Sequence, residues 1–194
     1  MSIKNFSKIE LVNILEIIEG AQECATENDL KALILRTKDL VTADFAICGL
    51  GRISGNMLSE VVSVVNGNYP QGWLDSYMSE KLYFGDPVVR YYSRFSLTQY
   101  WADIIKHFGD SLARPAIDCA AGYGIRAGIS SGIYVPETAC VGIFSFAGDR
   151  DRFKDHHKKI VDMLSLHLNR ALVRTSAGLP PEGPPDVERY LYIR

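Results

Sequence analysis

Residues 45–65 read FAICGLGRISGNMLSEVVSVV, and this stretch decides the fold. Its first part, Phe45 to Leu50, is a short apolar run of the kind that forms a buried strand. The sequence Ser54-Gly55-Asn56 is typical of a tight turn. A second strand is then indicated by Val61, Val62, Val64 and Val65. Residues 44–66 are therefore predicted to form a β-hairpin.

The segments on either side of this hairpin have helical periodicity. Apolar residues recur on one side of residues 9–18, and Gly20 ends that pattern. A second helix is predicted from Asn28 or Asp29 to Leu40. Beyond the hairpin, residues 70–83 and 102–121 are predicted to be helical.

A second hairpin and a long helix complete the predicted domain. Strands are expected at residues 125–135 and 140–146, with a turn at Pro136-Glu137. The last helix is expected from Arg152 to Arg174. This order predicts an α+β fold, a three-layer α/β/α sandwich with a central antiparallel sheet of about five strands. Residues 1–175 would form this single domain, and the Pro- and Gly-rich residues 176–194 would form a linker.

Composition excludes several classes of protein. The chain of 194 residues is 47% hydrophobic and carries a net charge of -2, so it is globular and has no overall basic character for nucleic acid. Its four cysteines form no CxxC pair, which disfavours a zinc site or a redox motif. No signal peptide or membrane span is expected, and the cytoplasm is the predicted compartment. HExxH and GxSxG are both lacking, so we expect no enzyme, no catalytic residue, no metal and no cofactor.

Aromatic residues are concentrated between Tyr69 and Trp101. Ten of these 33 residues are aromatic, about three times the chain's average of 10%. Ordinary core packing is one interpretation for each ring. The other is a ligand pocket, because buried Tyr and Trp side chains need hydrogen-bond partners that a ligand can supply.

Asp86 lies in the apolar sequence Phe84-Gly85-Asp86-Pro87-Val88-Val89. A buried carboxylate must have hydrogen-bond donors. Asp followed by Pro is favourable at the start of a helix, so a helix cap is one interpretation. Contact with a ligand is another, and a carboxylate with two oxygens can fulfil both roles.

The spacing Tyr69-x3-Trp73-x3-Tyr77-x8-Asp86-Pro87-x13-Trp101 resembles that of the signal-binding domain of LuxR-type quorum-sensing transcription regulators. Residues 123–129, YGIRAGI, resemble that family's FGIRSG stretch, with Tyr for Phe and Ala for Ser. The resemblance covers roughly residues 10–175. It implies a sensor domain that binds an N-acyl-homoserine lactone between the sheet and one helical layer.

The resemblance also implies the polar contacts of such a ligand. Trp73 would donate its indole N–H to the lactone carbonyl, and Tyr69 would donate to the amide carbonyl. Asp86 would accept from the amide N–H. Ser145 lies where the family often has a hydroxyl near the head group or the 3-position of the acyl chain.

The remaining predicted site residues are walls. Tyr77 and Trp101 would pack around the lactone ring, and Val88, together with Val89, would contact the acyl chain.

Partners are also implied by the resemblance. The helix at 152–174 either supports a homodimer or packs on its own sheet. Regulators of this type bind DNA through a C-terminal helix-turn-helix domain, and residues 185–191 resemble only the opening of its first helix. The chain is then a ligand-binding fragment or a natural form without a DNA reader. The alternatives are a regulator that senses another small molecule, and a dimerising anti-activator.

Overall fold

The computed structural model describes residues 6–55, 57–135 and 138–179. The helices are α1 (Lys8–Glu23), α2 (Glu27–Leu40), α3 (Gln71–Ser79), α4 (Pro87–Tyr92), α5 (Trp101–Phe108), α6 (Arg114–Gly122) and α7 (Asp155–Ser176). The strands are β1 (Phe45–Ser54), β2 (Met57–Asn66), β3 (Gln99–Tyr100), β4 (Ala127–Val135) and β5 (Cys140–Gly148). A 3-10 turn spans Leu82–Phe84.

The five strands form one antiparallel sheet in the order β2-β1-β5-β4-β3. The two predicted hairpins, β1–β2 and β4–β5, join where β1 pairs with β5 and Ile47 lies opposite Ser145. Helices cover both faces. The predicted α+β class and three-layer α/β/α arrangement are confirmed.

One face of the sheet packs against α1, α2 and α7, which we call the packed layer. Ser7 and Glu10 form a capping box at the start of α1, and Thr26 and Asp29 form one at the start of α2. The predicted apolar stripe of α7 is buried against its own sheet in this layer, at Ile160, Leu164, Leu168, Ala171 and Leu172.

The opposite face lies beneath α3, α4, α5 and α6, which we call the cavity layer. Alternation along β1 separates the two faces. Ala46 and Cys48 belong to the core under the packed layer, whereas Phe45 and Ile47 contact the cluster that contains Tyr69 and Trp73.

The cavity layer departs from the predicted elements. The residues expected to be helical at 102–121 form two helices, because α5 ends at Phe108 with Gly109 as its C-cap and α6 starts only at Arg114, with a proline in its first turn. The helix expected at 70–83 ends at Ser79, and Lys81 adopts a left-handed backbone with φ 54° before the 3-10 turn. The predicted turn residues Asn56, Pro136 and Glu137, and residues 180–194 of the predicted linker, lie outside the described residues.

Candidate ligand-binding site

A cavity of about 380 Å³ lies between the sheet and the cavity layer. Its lining is mainly apolar and comes from β1, β2, β5 and all four helices of that layer. The structure places all seven predicted site residues on this lining: Tyr69, Trp73, Tyr77, Asp86, Val88, Trp101 and Ser145. Val89 also lines it. Their contacts with a ligand remain a prediction.

Two hydrogen-bond donors on the lining have no partner. The hydroxyl of Tyr69 and the indole nitrogen of Trp73 are buried, and neither makes a hydrogen bond within the described ranges. Their rings are 4.9 Å apart. Burial raises the pKa of Tyr69, so this hydroxyl stays protonated and its hydrogen needs an acceptor. Buried polar groups without partners are rare, and a site for a ligand explains them.

Asn66, which the sequence analysis did not identify, fixes the backbone of Tyr69. The backbone N–H of Tyr69 donates to Asn66 Oδ1 at 2.8 Å, and Asn66 Nδ2 donates to the Tyr69 carbonyl at 3.0 Å. These two hydrogen bonds span residues 66–69, where β2 ends and the chain turns towards α3. They therefore hold Tyr69 at the start of the cavity layer before α3 begins.

Asp86 is both a helix cap and a cavity residue. Its Oδ1 accepts from the backbone N–H of Val88 at 2.7 Å, and its Oδ2 accepts from the Tyr77 hydroxyl at 2.8 Å. Burial raises the pKa of Asp86, while these donors oppose the rise. Each carboxylate oxygen has two lone pairs, so Asp86 can still accept from a ligand.

Tyr77 therefore does more than form a wall. Its ring stacks on Trp73 with centroids 4.7 Å apart and an interplanar angle of 28°, as the four-residue spacing on α3 allows. Its hydroxyl orients Asp86 across the site. The sequence contained the spacing but did not reveal this hydrogen bond.

Trp101 differs from Trp73 because its indole N–H is already used. It donates to Ser130 Oγ at 2.7 Å, and Ser130 Oγ lies 2.8 Å from Ser145 Oγ. The ring can lie against β4 because Gly128 has no side chain, since a Cβ there would be 2.5 Å from the indole. Ser130 was missed by the sequence analysis, although its place opposite Ser145 follows from the strand register.

The cavity is not fully closed. Met78 and Arg126 line it and are also exposed, so it reaches the surface at both residues. Arg126 pairs there with Asp149.

Other kinds of site receive no support from the described part of the chain. It holds no group of three His, Cys, Asp or Glu residues that could bind a metal ion. The four cysteines are free thiols. None of its helices combines the length and the apolar character needed to cross a membrane.

Comparisons with known proteins agree with this geometry. The family model described as autoinducer binding domain matches residues 26–172. The transcriptional activator protein VanR of Vibrio anguillarum is 25% identical over 163 residues, which are 84% of this chain and 64% of VanR. The chain thus spans less than two thirds of that curated relative.

Two solved structures show the same fold. CepR2 from Burkholderia cenocepacia, described as an N-acylhomoserine lactone dependent LuxR family transcription factor, has a TM-score of 0.71 and 18% identity, covering 87% of this chain and 99% of its own. SdiA in complex with octanoyl-rac-glycerol has a TM-score of 0.68 and 17% identity, covering 94% of this chain and 72% of its own. With the family model matching most of the chain, the predicted resemblance is confirmed: this chain belongs to the autoinducer-binding domain family of LuxR-type regulators.

Proposed function

We propose that this domain binds an N-acyl-homoserine lactone in the cavity between the sheet and the cavity layer. One observation carries the proposal. Two buried donors without partners, on Tyr69 and Trp73, lie in the same mainly apolar cavity as the carboxylate acceptor of Asp86. A ligand that fits must combine carbonyl acceptors, one N–H donor and an apolar portion.

An acyl-homoserine lactone has this combination. Its lactone and amide carbonyls would accept from Trp73 and Tyr69, and its amide N–H would donate to Asp86. Its acyl chain would lie among apolar residues such as Val88, Val89 and Ile143, with roughly 0.8 kcal/mol gained for each buried CH2. Ser145 would supply a further polar contact.

A monoacylglycerol is a second candidate, because the structurally similar SdiA is known in complex with octanoyl-rac-glycerol. Its ester carbonyl would accept from one of the two unpaired donors. A glycerol hydroxyl would donate to Asp86 in place of the amide. Both ligands use the same donors and differ in the group that faces the carboxylate.

We further propose that the chain is the sensor part of a cytoplasmic transcription regulator. It would form a homodimer and reach DNA only through a separate helix-turn-helix domain. Exposed apolar residues on the outer side of the packed layer, including Ile9, Leu15 and Leu166, support pairing with another chain. Pairing with a different regulator would make it an anti-activator. No catalytic role and no cofactor is proposed.

The test is thermal melting of the purified chain with lactones of varied acyl length and with octanoylglycerol. A ligand at a hundred times its dissociation constant stabilises the folded state by about 2.7 kcal/mol, which raises Tm by several degrees. We expect such a rise with at least one lactone. No rise with any lactone would reject the proposal, and a rise with octanoylglycerol alone would favour the second candidate.

The matched control is the double variant Tyr69→Phe/Trp73→Phe. It removes the two unpaired donors and keeps an aromatic ring at each position, so the unliganded protein should melt close to the native temperature. Its response to the lactone should be much smaller. A full response in this variant would show that the lactone stabilises the protein elsewhere.

A further inference from the structure

Three side chains form a hydrogen-bond network that runs from α5 along the cavity side of the sheet to the cavity lining. The indole N–H of Trp101 donates to Ser130 Oγ, which lies 2.8 Å from Ser145 Oγ. Ser130 and Ser145 are directly opposite each other on β4 and β5. Ser145 lines the cavity, whereas Ser130 is completely buried and is not part of the lining.

The donor and acceptor of each hydrogen bond follow from the chemistry of the three side chains. An indole nitrogen can only donate, so Ser130 Oγ must accept from Trp101. Ser130 then has one hydrogen to donate, and within the described residues its only other side-chain partner is Ser145 Oγ. If Ser145 donated instead, the hydrogen of Ser130 would be buried without an acceptor, which is unfavourable. The favourable order runs from Trp101 to Ser130 to Ser145.

The backbone around Ser130 holds this arrangement in place. Gly128 is two residues away on the same face of β4, and its lack of a side chain lets the Trp101 ring lie against the strand. The Tyr92 hydroxyl donates to the Ser130 carbonyl at 2.5 Å. The position of Ser130 is therefore fixed before a ligand enters.

We propose that Ser130, together with Trp101, orients the Ser145 hydroxyl so that its hydrogen points into the cavity, and thereby selects ligands with a carbonyl oxygen at that place. Ser130 is a positioning residue, because it acts through Ser145 and does not line the cavity. The inference rests on the proposed function, since the carbonyl would belong to an acyl-homoserine lactone. It is either the amide carbonyl or a carbonyl on the third carbon of the acyl chain.

The experiment measures the affinities of three lactones of equal chain length, with a 3-oxo, a 3-hydroxy or no substituent. The proteins are the native chain, Ser145→Ala, Ser130→Ala and Ser130→Cys, where Cys keeps the volume but hydrogen-bonds weakly. Ser131→Ala is the matched control, because Ser131 is also buried on β4 and its side chain is on the opposite face.

If the third-carbon carbonyl is the partner, native protein should prefer the 3-oxo over the unsubstituted lactone by about tenfold, the ratio for one hydrogen bond. All three variants at 130 and 145 should reduce this preference towards unity. If the amide carbonyl is the partner, the variants should lower the affinity for all three lactones by a similar factor. In both cases Ser131→Ala should bind like native protein, and Ser130→Ala should add little to Ser145→Ala in the double variant.

Three outcomes would overturn the proposal. One is a native preference for the 3-hydroxy lactone that is lost in Ser145→Ala, because Ser145 would then be an acceptor. The second is unchanged affinity and selectivity in Ser130→Ala while Ser145→Ala binds weakly. The third is full additivity of the two substitutions.

An NMR measurement without ligand separates this inference from the proposed function. The chain has two tryptophans and therefore two indole N–H signals. Ser130→Ala should shift one of them and speed its hydrogen exchange, whereas Ser131→Ala should leave both in place. If both indole signals are unchanged in Ser130→Ala, the proposed hydrogen bonds from Trp101 to Ser130 to Ser145 are overturned, even if no lactone binds. Failure of every lactone to bind, together with the expected indole shift, rejects only the proposed function.

Discussion

Among the described residues, 23 buried apolar ones form one continuous cluster beneath the packed layer, whereas the cavity-layer side holds two smaller clusters of six and four. The cavity of about 380 Å³ lies on that side. The same strands supply both faces of the sheet, so the strands do not explain why one side is filled and the other holds a cavity. The difference comes from the helices, which are long in α1, α2 and α7 and short in α3 to α6.

The two layers also differ in whether their buried polar groups have hydrogen-bond partners. In the packed layer, the buried Arg174 donates to the carbonyls of Ala21, Gln22 and Cys24 at the end of α1. Thr37 donates to the Leu33 carbonyl at 2.9 Å. In the cavity layer, the donors of Tyr69 and Trp73 have no such partner among the described residues. One layer thus supplies stability, and the other keeps binding capacity for a ligand.

The largest expected effect is on the free energy of unfolding. Ile34→Ala in the packed layer should cost about 2–5 kcal/mol, because Ile34 is fully buried and its removal creates a void. Ile143→Ala should cost less than about 2 kcal/mol in the unliganded protein, because Ile143 already borders the cavity. Chemical denaturation measures both values. Equal losses would show that the two faces are packed alike.

A smaller effect, on lactone affinity, is expected from Asp86→Asn. The amide that replaces the carboxylate forms weaker hydrogen bonds, so affinity should fall by roughly tenfold or more. Tyr77→Phe should cost less, because the carboxylate would still be held by the N–H of Val88. Calorimetric titration compares the two. Equal losses would indicate that Asp86 serves mainly as a helix cap.

The pKa of Asp86 adds a pH test to this comparison. Burial raises this pKa in the folded protein above the ordinary value of 3.8. As pH falls through the raised pKa, the unliganded fold gains stability from protonation, and lactone affinity falls because the carboxylate is lost. Asp86→Asn should lack both trends in that pH range.

The smallest effect is expected from Glu10→Gln, where α1 meets α7. The Ser7 backbone N–H and His156 lower the pKa of Glu10 from 4.5 to about 2. The depressed pKa stabilises the fold above pH 4.5, and this contribution is lost as pH falls towards 2. Gln can still complete the capping box, so the loss at neutral pH should be at most about 1 kcal/mol.

Urea unfolding of Glu10→Gln at several pH values measures this loss, with the exposed Glu19→Gln on the same helix as the control. Lactone affinity should not change in either variant. A change in affinity would show that the packed layer also takes part in binding.

The elements of the packed layer could be predicted from the sequence more easily than those of the cavity layer. In helices α1, α2 and α7 and in both hairpins, the apolar residues follow a regular spacing over a long stretch of sequence. Helix α4 has only six residues, and its start at Asp86 was considered only as a possible cap. The break at Gly109 was missed because the apolar positions on either side fit one helix.

The candidate site followed from spacing in part. The residues of α3 and Asp86 are close in sequence, so their approach could be expected. The contact of Trp101 with Ser130 depends on Gly128 and on the register of β4. The spacing of residues along the sequence does not reveal this register.

Because the two tryptophans have different surroundings, intrinsic tryptophan fluorescence can report on the cavity. Indole emission depends on the polarity and hydrogen bonding around the ring. Trp73 lies among the groups that a ligand would meet, whereas the indole N–H of Trp101 is already held by Ser130. In Trp101→Phe the remaining fluorescence comes chiefly from Trp73, so occupancy of the cavity can be followed by emission without any attached dye.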